Sequence, residues 1–117
     1  MKKTLLALAM IPIAASAANL NCSIKASKTT TTADMQAMAK ISADDAKKAA
    51  LGAVNVAGAT IAKGELEVED GCLVYSYDVK VPGKSGAQEV YVDAGNGKVI
   101  KSVHETTAKE AVEKTKK

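Results

Sequence analysis

Arginine, tryptophan and phenylalanine are absent from the 117 residues, and only three tyrosines are present. The side chains that most often read base edges or stack on bases are therefore nearly missing, which argues against nucleic-acid binding. There is one histidine, His104, and the two cysteines, Cys22 and Cys72, are not spaced as C-x-x-C. The usual signatures of a zinc site or a thiol redox centre are thus lacking. No long apolar run follows the first seventeen residues, so the mature chain is expected to hold no transmembrane segment, which would need roughly 20 such residues.

What is present begins with an export signal. Lys2 and Lys3 give a basic start, Leu5 to Ala14 an apolar stretch interrupted by Pro12, and Ala15-Ser16-Ala17 a small-residue cleavage site. Residues 1–17 are expected to be a cleaved signal peptide, which places the protein in the periplasm or outside the cell. Lipidation at Cys22 is disfavoured, because Asn21 is large and polar where a small residue is wanted. Losing Lys2 and Lys3 leaves 14 lysines against 13 carboxylates and lowers the formal charge from +3 to +1. One domain with a marginal core is expected at this length. Pairing Cys22 with Cys72 in an oxidising compartment would close a loop of about 50 residues and stabilise by about 4 kcal/mol on chain-entropy reasoning. Free or intermolecular thiols are the competing reading.

Residues 18–40 read as an N-terminal arm and linker, 41–105 as the domain, and 106–117 as a charged tail. Ser27 to Thr32, with four consecutive threonines, has no apolar periodicity and reads as a spacer. Met35 and Met38 stand three apart, as in a short helical turn packed on the core; a methionine copper site is the sharper alternative. Ser42 is a good helix N-cap, and Asp44 and Asp45 set negative charge at the positive end of the helix dipole. Ala46, Ala49, Ala50, Ala53 and Val54 follow at helical spacing, and Asn55 and Gly58 offer places to stop.

Beyond the helix the pattern changes to period two. Taking Asp70-Gly71 as a two-residue turn pairs Glu69 with Cys72, Val68 with Leu73, Glu67 with Val74 and Leu66 with Tyr75. One face then carries Leu66, Val68, Leu73, Tyr75, Tyr77, Val79 and Val81, which the helix should cover. The opposite face carries Glu65, Glu67, Glu69, Cys72, Val74, Ser76, Asp78 and Lys80. A Cys22–Cys72 bond would draw the arm across that second face. After Pro82 to Gly86, Glu89 to Asp93 and Lys98 to Val103 form a second hairpin. The expected fold is α+β, one N-terminal helix packed on a small antiparallel sheet of two consecutive hairpins. The row Glu65, Glu67, Glu69 suggests cation binding, against which stands an ordinary solvated strand face. Asp93 and Asn96 read as turn chemistry, since a calcium loop's twelfth-position glutamate is missing. His104 beside Glu105 has no nucleophile placed near it and reads as a surface residue.

Ile41-Ser42-Ala43-Asp44-Asp45-Ala46-Lys47-Lys48-Ala49-Ala50, then Tyr75-Ser76-Tyr77-Asp78-Val79, then Val90-Tyr91-Val92-Asp93-Ala94-Gly95-Asn96-Gly97-Lys98-Val99-Ile100, in that order and spacing, resemble the PepSY domain over about residues 41 to 104. The resemblance implies a small α+β module of a kind found in peptidase propeptides and alone as exported proteins, and proposed to inhibit or regulate peptidases. It implies no catalytic residue, metal or cofactor. The matching positions Asp45, Ala46, Ala50, Tyr77, Val92, Asp93 and Gly97 look structural. The expectation is an exported, non-enzymatic module that binds a peptidase or another envelope protein. The alternative is an envelope protein binding a small ligand or metal through Met35, Met38, His104 or the glutamate row.

Overall fold

The side chain of Ser42 accepts the Asp45 N–H at 3.0 Å and opens the longer of two helices. In the computed structural model, which describes residues 20–105, the elements are α1 (Thr32–Met38), α2 (Ala43–Val54), β1 (Thr60–Glu69), β2 (Cys72–Lys80), β3 (Ala87–Asp93) and β4 (Val99–Glu105). The expected leader at 1–17 and tail at 106–117 lie outside the described residues. The fold is α+β with a four-stranded antiparallel sheet in the order β1-β2-β3-β4.

Two details of the expected fold change. The helix expected at 42–54 is joined by α1, capped by Thr31, whose hydroxyl accepts the Asp34 N–H at 3.1 Å. The last threonines of the supposed spacer therefore start a helix, and Met35 and Met38 pack from it against the core. The two hairpins are also not separate units, because β2 and β3 pair directly from Val74↔Asp93 to Val79↔Gln88. Strand β3 begins at Ala87 and β4 ends at Glu105, while Val81 lies beyond β2.

Helix α2 ends where Asn55 adopts the left-handed conformation, φ 54° and ψ 47°, with its N–H on Leu51 O at 2.9 Å. Its inward stripe is Ala46 and Ala50, both fully buried, continued by half-buried Val54. Ala53 is exposed, whereas Leu51 packs on the core. Small side chains let the helix lie close to the sheet, so the bulk comes from Leu73, Tyr75, Tyr77, Val79, Val90 and Val92.

The β1–β2 register is Glu69↔Cys72, Val68↔Leu73, Glu67↔Val74 and Leu66↔Tyr75, closed by Asp70 (φ 50°) and Gly71 (φ 79°). Positive φ at both central residues marks a type I′ turn, whose twist suits a two-residue hairpin. A register shift between Tyr91 and Val92 leaves Ile100 as an extra residue on β4. It joins a second, smaller apolar cluster of Cys72, Val74 and Tyr91 behind the sheet, closed by Leu20 and Cys22 of the arm.

Candidate interaction surface

Strand β1 is an outer strand of the sheet. Because Glu69 and Cys72 flank a two-residue turn, they form the hydrogen-bonded pair, and the ladder then alternates. The backbone groups of Gly64, Leu66 and Val68 consequently point outward from the sheet, available to a further strand. Gly64 stands opposite Tyr77, and a Cβ there would run into the tyrosine ring. On the helix side of β1 lies an open groove of about 520 Å³ lined by Ala43, Lys47, Ile61, Leu66 and Tyr77 among others. Its walls are fixed by hydrogen bonds from Tyr75 to Ile41 O and from Tyr77 to Ala43 O, each 3.0 Å. These bonds tie the two stacked tyrosines, centroids 6.3 Å apart, to the start of α2.

The other side of β1 is acidic. Glu65, Glu67 and Glu69 share it, with Glu65 exposed and the other two half-buried. Burial, then a hydrogen bond with Glu65 and repulsion from Glu69, pushes the Glu67 pKa up to about 8. On β3, Glu89 is pushed up to about 7 by burial and by Glu105, with Lys101 opposing. The Lys101 ammonium lies 3.8 Å from Glu89 Oε1 and 4.7 Å from the Tyr91 ring centroid. Tyr91 is raised far above the ordinary phenol range by burial, then by Glu89, Glu69, Glu67 and Asp70.

The arm occupies one end of this rear surface. Cys22 and Cys72 form a disulfide with Cα atoms 6.0 Å apart. Beside it the Leu73 N–H donates to Ile24 O at 3.0 Å and the Ala26 N–H to Gly71 O at 2.9 Å. Asp93, 1% exposed, accepts from the Ser23 hydroxyl and N–H and from the backbone N–H groups of Gly95 and Asn96. Burial alone would raise its pKa, but these four donors lower it.

Met35, Met38, His104 and the glutamate row are not brought together into one site. Met35 and Met38 face the core, and His104 is exposed on β4 opposite Gln88, at the far edge of the sheet from the glutamate row. Among the described residues no three His, Cys, Asp or Glu side chains are grouped to hold a metal ion. Asp93 and Asn96 serve the turn, where Asn96 Oδ1 accepts the Lys98 N–H at 2.9 Å. Sequence reasoning missed Ser23 as a partner of Asp93 and Gly64 as the seat of the Tyr77 ring. An isolated glycine within an otherwise alternating strand was the signal for the second; nothing local marked the first.

No helix among the described residues is long and apolar enough to cross a membrane. No curated protein and no solved structure matches the chain. The family model of PepSY, described as the peptidase propeptide and YPEB domain, matches residues 40–103 and so spans the helix α2, strands β1 to β3 and most of β4, and the chain belongs to that family.

Proposed function

We propose that the protein is an exported, non-enzymatic regulatory module, periplasmic or secreted, that binds a protein partner along β1 and in this way restrains a peptidase. The supporting observation is the outward backbone of Gly64, Leu66 and Val68 on an outer strand, since strand addition uses such unpaired donors and acceptors. Membership of a family of propeptide and regulatory domains supports the peptidase part.

The test uses the oxidised chain from residue 18 onward as bait in envelope and secreted fractions of its host, followed by assay of any peptidase recovered. A stoichiometric, inhibited peptidase whose binding slows amide exchange at Gly64, Leu66 and Val68 supports the reading. A folded bait that recovers no peptidase overturns the peptidase part. The groove supports a second reading, an apolar small ligand, because its volume lies in the range of ligand pockets. A ligand that raises the melting temperature while leaving those three amides unprotected would favour it.

A further inference from the structure

A strand added to β1 would touch two unlike surfaces at once. Side chains in a paired strand alternate between the faces of the sheet. Those set against Gly64, Leu66 and Val68 would lean toward the helices, where the groove offers Ile61, Leu66 and Tyr77. Those set against Glu65, Glu67 and Glu69 would lean to the rear. Among the described residues these three glutamates have no ion pair; the salt bridge there joins Lys101 of β4 to Glu89 of β3. We propose that the occupant of the β1 edge is an extended peptide segment with apolar and cationic side chains in alternation. Its lysines or arginines lie over the glutamate row and its apolar residues over the groove. The inference rests on the strand-addition reading above and adds the chemistry of the partner.

The opposite edge lacks this combination. Strand β4 is 7 residues against the 10 of β1, and its rear side carries Lys101 beside Val103 rather than a row of one sign. A second copy of the chain is disfavoured on charge, because two β1 edges laid antiparallel would set glutamates opposite glutamates.

Calorimetric titration of the oxidised chain with three synthetic peptides of equal length tests the proposal. One alternates lysine and valine, one has the same residues scrambled out of period two, and one alternates glutamate and valine. The alternating lysine peptide is expected to bind, to weaken as salt rises, and to slow exchange at the Gly64, Leu66 and Val68 amides. Glu69→Lys and, at the exposed position, Glu65→Lys should each weaken it by about tenfold, as expected when one member of a charge pair is reversed. Equal binding of the scrambled or glutamate peptide, or unchanged affinity in both folded variants, would overturn the proposal. So would self-association that protects the same amides before peptide is added, which would assign the edge to a second copy. A protein partner that protects the three amides but binds both variants normally would refute the cationic chemistry and leave strand addition intact. A bound partner that leaves the amides unprotected would strike at strand addition itself.

Discussion

The Ser23 hydroxyl donates to Asp93 Oδ1 at 2.6 Å while the Ser23 N–H donates to Oδ2 at 2.7 Å, joining positions 70 residues apart through both oxygens of one carboxylate. The same Oδ1 receives the Gly95 N–H at 2.7 Å. Asp93 thus holds the β3–β4 turn and the arm together.

Asp93→Asn should therefore destabilise the domain by about 2 kcal/mol, the scale of hydrogen bonds to a charged acceptor. The amide replaces one acceptor with a donor that faces another donor. Because the folded pKa of Asp93 lies below its unfolded value, its contribution is fully present above about pH 3.9 and is lost as pH falls through the folded value. Chemical denaturation across the acid range should show a shallower acid limb in the variant; an unchanged limb would remove Asp93 from this role.

Glu67 and Glu89 act in the opposite direction. Their folded pKa values, about 8 and about 7, lie above the ordinary carboxylate value. The folded state keeps protons that the unfolded chain releases, so stability is fully present below about pH 4.3 and declines as pH rises through the folded values. The melting temperature should fall between about pH 5 and about pH 8, and Glu67→Gln should narrow that fall, with a gain at the upper end on the order of 1 kcal/mol, roughly 4–8 °C. A melting temperature that rises over this interval would contradict the assignment.

Reduction of the Cys22–Cys72 bond opens a loop with a sequence separation of 50. The expected loss is about 4 kcal/mol, read from urea unfolding with and without reductant. Amide exchange at Ala26 and Leu73 should accelerate together, since both hydrogen bonds depend on the arm lying in place. Unchanged exchange at both amides would show that the arm stays docked without the bond.

Three glycines separate crowding from backbone strain. At Gly95 an added Cβ would run into Ser23 Oγ and the Ile24 side chain, and at Gly64 into the Tyr77 ring. Gly95→Ala should lift the arm and Gly64→Ala should displace the ring, each costing about 1–3 kcal/mol as overpacking. Gly71 has open space around it but φ 79°, so Gly71→Ala should cost only the left-handed penalty of about 1–2 kcal/mol. Thermal melts of the three variants, with the Tyr77 signals followed by NMR, check the distinction.

The parts of the fold that were legible depend on short-range chemistry. Asp70-Gly71 announces a turn with two positive φ angles, and once it is placed, period-two alternation determines every pair back to Leu66↔Tyr75. Ser42 with Asp44 and Asp45 announces the start of α2 in the same way. Helix α1 was harder to read because 7 residues give under two full repeats of the helical period and its cap lies in a threonine run. Helical spacing groups Ala53 with the buried Ala46 and Ala50, yet it is exposed, because alanine occurs around most of the helix and cannot fix its rotation. The acidic row of β1 was visible as a row, but the groove beside it was not, since α1, α2 and β1 meet there only after folding. The Ser23–Asp93 link has no local signal at all.

Each strand pairs with its neighbour in the chain, so the three ladders close across short connections, whereas the arm meets Cys72 across 50 residues. Closing the longer loop costs more entropy, and local pairing is faster. The sheet is therefore expected to assemble first and the arm to dock afterwards, an order that quenched refolding from the reduced chain would reverse if the disulfide formed before the β1–β2 ladder. Until docking, Val74 and Tyr91 lack their cover from Leu20 and Cys22. The interval between those two events is when a newly made chain is most exposed to sticking to its neighbours, and the rate of thiol oxidation sets how long it lasts.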